Sequence, residues 1–469
     1  VIAAARIMLV QLWRERRLSA AFGVLLALAA TSILLDRLRT AEVERDRIAA
    51  EQLDQQTFEA QGARNPHSVA HFSRFAFRPR LATAALDPGV SSYTGTAVWM
   101  EAHRQNVAGA RPGEDHLDLG RATELGLAWI WQVVAPLLLI CLGFDAIARE
   151  RERRTLSVLA VSGLSLARLA AGKGLALFAV IGGTLLVTLV LSLAAGGGSP
   201  VGDRLARVTL WASGYLGYLA VWTMITLAVS VRARTSRIAL VTLLGAWALA
   251  TLVVPRVAAT VADEQAPIPS AAELWAAMER DLEEGLDGHS PADQRSQELE
   301  ARTLARYRVS SLSELPVSFA GIALEESERF GNLVFDKHHR SLAQRYAEQR
   351  GWRRLGGLVS PLVPLRHLSA AAAGTDVEHH LEFTQQAEQQ RRVIISKLNA
   401  DMIANGAGKD FEYLADPALW QRIPAFRYTP PPLRTSTSTL DWLALGGWLL
   451  GAGLLLAWML RRAALEVLP

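Results

Sequence analysis

Arg149–Lys173 reads RERERRTLSVLAVSGLSLARLAAGK: six charged residues, then Leu156, Leu159 and Val161 at helical spacing, then Gly163 and Ser165, and last a Gly172-Lys173 pair. A long apolar run ends just before this stretch and another begins at its end. Such a segment predicts a short amphipathic connector lying along a membrane surface, apolar side inward and charges in water, turning back at the glycine. That reading sets the fold class for the whole chain.

Working outward, apolar runs long enough to cross ~30 Å of hydrocarbon fall at 18–35, 125–144, 174–195, 208–231, 238–257 and 440–460. Hydrophobic residues make up 51% of the 469 and the mean hydropathy is +0.18. The expected fold is mainly α: a polytopic membrane protein of six transmembrane helices carrying a large, mostly helical extracytoplasmic domain built from two insertions. Orientation follows from basic residues near span ends, which stay in the cytoplasm. Arg14, Arg16 and Arg17, then Arg149 to Arg154, then Arg232, Arg234 and Arg237, then Arg461 and Arg462 all fall on one side. Arg204 and Arg207, in the short turn at 196–207, count against that orientation.

On this scheme residues 1–17 form a cytoplasmic amphipathic helix, 145–173 the cytoplasmic coupling connector, and 36–124 and 258–439 the two extracytoplasmic insertions. Both termini are then cytoplasmic, in a multi-pass membrane protein. The first thirty-five residues also imitate a signal peptide, but the apolar run is long for one and Ile2–Trp13 has its own helical pattern. The net charge of +4 is accounted for by topology, and no basic stripe interleaved with aromatics points to nucleic acid. Cys141, the one cysteine, lies within a span, so an intrachain disulfide is excluded.

In the first insertion, Arg37–Gln61 continues the helical pattern as a charged stalk. From Asn65 to Asn106, Pro66, Pro79, Pro88 and Gly89 break the chain into turns and short strands. The second insertion is mostly helical: Ser270–Leu286, opened by a Ser270/Glu273 capping box, then Pro291–Arg308, Pro316–Arg350 and Thr375–Asn405, stopped by Asn405-Gly406. Pro430, Pro431 and Pro432 make a stiff lead into the last span. The two insertions are expected to form one composite domain.

The chemistry is mostly defined by what is missing. There is no GxxxxGK[ST] loop to cradle phosphates, no GxSxG elbow, and no ionisable group deep in a span to relay ions. All ten histidines fall in the insertions. His67 and His71, one helical turn apart, and the His379-His380 pair are candidate imidazole ligands. Without an HExxH or cysteine framework, no metal is assigned to them.

The connector resembles the signature of ABC-2-type permeases on Glu150, Glu152, Thr155, Leu156, Gly163, Gly172 and Lys173. Many members carry Gly where Arg154 stands and Pro near Gly163. AHFSRFAFRP (Ala70–Pro79) and LDPGVSSYTGTAVWMEAHRQN (Leu86–Asn106) are similar to a bacterial subfamily with two large extracytoplasmic insertions. Ala373–Asp376, followed by His379, His380 and Phe383, resembles the second of these.

The resemblance implies a non-catalytic permease subunit whose connector, through Glu150, Arg151, Glu152, Arg153, Thr155, Leu156, Gly163 and Lys173, couples to partner ABC ATPase subunits. ATP and Mg would sit in those partners, with no cofactor in this chain, and a second permease would complete a homo- or heterodimer in the lipid bilayer. Its output would be substrate export or movement of the extracytoplasmic domain. The alternatives are an ATPase-independent membrane receptor binding a metal or ligand through the outer domain, and a membrane-anchored hydrolase.

Overall fold

The computed structural model describes residues 1–72, 74–111, 126–161, 164–193 and 201–467. Helix α1 (Ile2–Arg14) buries Ala4, Met8 and Leu12, four residues apart, and leaves Ile2, Ile7 and Trp13 exposed. The chain then turns at Arg16, in the left-handed conformation (φ 57°), into α2 (Arg17–Glu59). At 1.5 Å per residue, α2 runs ~65 Å without a break. Its first half is apolar; its second half carries ion pairs such as Arg47 with Glu44 and Glu51, each at 2.7 Å.

Beyond α2 come α3 (Pro66–His71) and an antiparallel pair of short strands, β1 (Arg74–Phe77) and β2 (Ala97–Met100), in register from Arg74↔Met100 to Phe77↔Ala97. The chain returns through α4 (Leu127–Glu152, interrupted by a turn at 144–147), the short α5 (Thr155–Val161), α6 (Leu166–Leu193), α7 (Val201–Arg232) and α8 (Ser236–Gln265). The second insertion supplies α9 (Ala271–Glu284), α10 (Ala292–Tyr307), α11 (Phe319–Leu355), α12 (Leu362–Ala373) and α13 (Val377–Asn405) before α14 (Thr439–Val467). Among the described residues, six helices, α2, α4, α6, α7, α8 and α14, are long and apolar enough to cross a membrane. The protein is a mainly α, multi-pass membrane protein.

Two of these helices widen into a π-turn, Ile130–Val134 in α4 and Leu249–Val253 in α8, each just ahead of a proline, Pro136 and Pro255. Proline has no N–H to give the carbonyl four residues back and its ring crowds that carbonyl. An inserted residue relieves the clash but frees backbone acceptors, which a membrane interior tolerates only if they find new donors. They do: Gln132 O accepts from the Tyr218 hydroxyl at 2.8 Å, Val133 O from the Trp247 indole at 3.1 Å, and Ala250 O from Ser360 at 2.6 Å.

Ser360 leads into α12, which the hydropathy pattern does not mark. Nine of its twelve residues are buried, and it packs against α7 and α14 rather than lying in the domain. Its polar groups bond to the spans: Ser369 to Trp211 (3.1 Å) and Tyr215 (2.9 Å), Arg366 to Gln132 (3.2 Å), His367 to Asp441 (3.0 Å). The helix ends at Gly374, whose φ of +74° suits glycine, and an added Cβ there would meet Leu81 at 2.2 Å. The following Thr375 takes the Val90 N–H on its carbonyl (2.9 Å) and donates its hydroxyl to Asp87 O (2.9 Å). The LDPG and AGTD segments of the two insertions thus interlock.

The domain core is shared in the same way. Phe58 from α2, Val69 and Ala70 from α3, and Val98 and Met100 from β2 close on Phe383, Ile394 and Leu398 of α13 and on Trp420. Trp420 is fully buried, meets Phe58 edge-on at 6.4 Å and donates to Gly62 O at 2.8 Å. Neither insertion buries this core alone, so the domain is composite. The Ser270/Glu273 capping box opens α9 as its spacing predicts, and Gly406 caps α13.

Candidate functional site

The connector is not one helix. α4 breaks after Gly143, and the N–H groups of Ile147 and Ala148 are taken by Ser230 Oγ on α7 at 2.9 and 3.1 Å. A second break separates Glu152 from Thr155, with Arg154 at φ 57°. This is the position where many ABC-2 permeases carry glycine, and the left-handed backbone gives the reason, since a side chain is strained there by roughly 1–2 kcal/mol.

Each face of the connector is tied to a different span. Asp145, buried at the break, accepts from Arg17 at the start of α2 (2.9 Å) and pairs with Arg149 (3.5 Å), while Glu15 bridges the same two arginines at 2.5 and 2.6 Å. Four charges alternate in a closed ring, so removing one strands its neighbours. Glu150 pairs with Lys173 of α6 (3.0 Å) and takes the Thr155 hydroxyl (2.5 Å); Lys173 is buried and also donates to Ala146 O at 2.5 Å. Arg151 donates to Ala233 O beyond α7 (3.0 Å). Glu152 accepts from the N–H and hydroxyl of Ser236 at 3.2 and 2.8 Å, placing its charge at the N-terminus of α8, where the helix dipole favours it. Arg153 caps the short helix with its N–H on Arg149 O, its side chain exposed.

Leu156 does not face outward. It is buried among Ala4, Ile147, Leu169, Ala170, Val231 and Ala463, so it joins the connector to α1, α6, α7 and α14. Among the described side chains of α5, Val158 and Val161 are apolar and exposed, 66% and 90% open and three positions apart on one face. Val158 is not marked by the sequence pattern; Val161 is, on the apolar side with Leu156 and Leu159, yet it stands open. Gly163 lies outside the described residues. Gly172 has a packing role: a Cβ there would sit 2.4 Å from Val1 O and 2.7 Å from Ala4 Cβ, so glycine lets α1 lie against α6.

At the far end of α2 the structure builds a second constellation. Asn65 caps α3 by accepting the His67 N–H at 2.9 Å, and Pro66 starts the helix, so His67 and His71 share one face. Their Nε2 atoms lie 3.3 Å apart. His103, which spacing did not identify, arrives from the end of β2, where Ala102 N–H bonds to Ala70 O at 3.1 Å. Its ring centre lies 5.3 Å from that of His67 and 5.2 Å from that of His71.

His103 is held there in a left-handed backbone conformation, φ 63°. Glu328 on α11 accepts both its backbone N–H (2.5 Å) and its Nδ1 (3.0 Å). Glu328 is itself fixed by the buried Arg391 (2.8 Å), which also pairs with Glu388 (2.8 Å). Burial works against the Glu328 charge, but His103 and Arg391 outweigh it and hold its pKa down to about 2. Burial, with the neighbouring His71 and His103, lowers His67 to about 4, so its ring is neutral at physiological pH. Among the described residues, this is the group of three whose ligand atoms converge, all within 4.8 Å of one another.

The other candidate pair does not join it. His379 is buried with both ring nitrogens engaged, Nδ1 by Asp376 at 2.5 Å and Nε2 by Arg207 at 3.3 Å. It is a structural histidine, and that pairing corrects its reading as a ligand. His380 lies outside that group too; burial first, then the charges of Arg78 and Arg111, lowers it to about 4. A ligand role for His380 is likewise unsupported by its surroundings.

Six apolar helices joined at one end by a charged connector, with a composite domain at the other, define a multi-pass membrane protein built around a shared hub. A family model described as ABC-2 family transporter protein matches residues 8–345, well over half of the chain. The chain belongs to that family of transport permeases, membrane components that work with an ABC ATPase. A second model, of a domain of unknown function, DUF3526, matches 271–429, the stretch from α9 to the lead into α14. No curated protein and no solved structure matches the chain.

Proposed function

We propose that the protein is the permease subunit of an ABC-2-type complex of the bacterial inner membrane, with the connector end cytoplasmic and the composite domain periplasmic. ATP-driven closure of partner ATPases pushes on α5, and the push is converted into movement of the spans and the domain. The observation that carries this reading is the hub: residues 145–156 touch all six spans or the residues bounding them, through Arg17, Lys173, Ser230, Ser236 and Ala463 as well as α4 itself. A load on such a hub reaches every helix at once. The basic clusters at 14–17, 149–154, 232–237 and 461–462 support the cytoplasmic assignment of that end.

In this reading the connector residues divide their work. Glu150, Arg151, Glu152, Thr155, Leu156 and Lys173 hold the hub to the bundle, and Val158 and Val161 offer the apolar contact for the ATPase. ATP and Mg stay in the partner, and a second permease, identical or related, completes the dimer. Export of a substrate and displacement of the domain are both served by this geometry; the ~65 Å helix from hub to domain favours the second.

The test is co-purification of the ATPase with the permease carrying Val158→Asp and Val161→Asp. Loss of the ATPase from a correctly inserted permease is expected. Undiminished co-purification and ATPase activity would overturn the assignment of α5 as the docking element.

A further inference from the structure

We infer that His67, His71 and His103 form a binding site for a divalent transition-metal ion of the zinc type, at the end of the domain distant from the connector. The two nearest imidazole nitrogens are 3.3 Å apart. Two ligands at Zn–N distances of 2.0–2.1 Å in tetrahedral geometry stand ~3.3 Å apart, so that edge of the coordination polyhedron is already formed. The third imidazole lies within 4.8 Å of both.

The arrangement has the further parts that metal-binding histidines require. Glu328 engages His103 at Nδ1, which leaves Nε2 as the nitrogen available to an ion and fixes the ring's tautomer, the usual role of a carboxylate behind a ligating imidazole. The backbone of His103 is strained (φ 63°), and a buried glutamate clamps it there at two points; strain so maintained marks a position set for a task. His103 is also about a third exposed (35%) and His71 is open to solvent, so an ion can enter. Three imidazole ligands suit Zn2+, Cu2+ or Ni2+ and exclude Mg2+ and Ca2+, which take oxygen ligands. Three protein ligands leave the fourth position open to water or another donor.

The inference is independent of ATPase coupling, and so is its test. The full-length permease, purified without a polyhistidine tag and stripped of metal, is titrated with Zn2+ by calorimetry. One site per chain is expected, weakened at least ~100-fold in His71→Ala and in His103→Ala, ~10- to 100-fold in Glu328→Gln, and unchanged in the remote, exposed His289→Ala. Because His71 is exposed, His71→Ala keeps the fold, and a matching circular dichroism spectrum verifies it. Co2+ in place of Zn2+ supplies a second readout, the intense visible absorption of a four-coordinate site. Absence of stoichiometric Zn2+ binding to the wild-type chain, or binding by His71→Ala and His103→Ala as tight as the wild type's, would overturn the site.

Discussion

Arg154 shows how a sequence departure becomes intelligible from backbone geometry. Its φ of 57° is the conformation glycine adopts freely. Arg154→Gly is therefore expected to keep the turn and the coupled ATPase rate, while Arg154→Val, β-branched and resistant to positive φ, lowers thermal stability by about 1–2 kcal/mol; thermal unfolding of the two variants in detergent checks this. His380 gives a pH signature. Burial first, then Arg78 and Arg111, lowers it from 6.5 to about 4, and its Nδ1 is buried without a hydrogen-bond partner. The unfolded chain takes up a proton below pH 6.5 and the folded one resists until about 4. The stabilisation is thus full above pH 6.5 and lost as pH falls toward 4. Melting temperatures between pH 7.5 and 4.5 are expected to fall less steeply in His380→Gln than in the wild type, and parallel slopes would refute the assignment.

Among the elements, α1, α12 and the two π-turns separate what a sequence displays from what only contacts reveal. The apolar runs and the capping box were legible because each is local, encoded in hydropathy or in the spacing of Ser270 and Glu273. Helix α12 was not, since VSPLVPLRHLSAAAAG has two prolines and little amphipathic contrast; it is buried on most sides by spans that come from elsewhere in the chain. The histidine site was half legible. His67 and His71 are one turn apart, whereas His103 is brought in by β2 and by Glu328, over two hundred residues away. Leu156 and Val158 differ in role by burial alone, which a motif does not carry. At this scale, Gly172→Leu is expected to push α1 off α6, with a melting temperature several degrees lower and new protease cleavage within Ile2–Arg14. Trp420→Ala removes the largest side chain of the composite core and should destabilise the domain by roughly 3–5 kcal/mol, measured as an earlier unfolding transition of the domain.

For the whole molecule, the proposed function makes a lever of a hub in contact with every span at one end and a composite domain at the other, with α2 as its longest arm. Residues 18–35 and 37–59 are two kinds of sequence in one unbroken helix, apolar in its first half and charged in its second. The interlock of Asp87 and Val90 with Thr375 then ties the arm's domain to α12, and α12 to α7 and α14. Movement of the spans should therefore move the domain. The most direct measurement is the distance between spin labels at Leu53→Cys on the α2 stalk and Leu205→Cys near the start of α7, both exposed, in a Cys141→Ser background with the partner ATPase bound. The account predicts that ATP and Mg shift this distance and that Val158→Asp with Val161→Asp abolishes the shift; an identical distance distribution with and without nucleotide in the intact complex would contradict it.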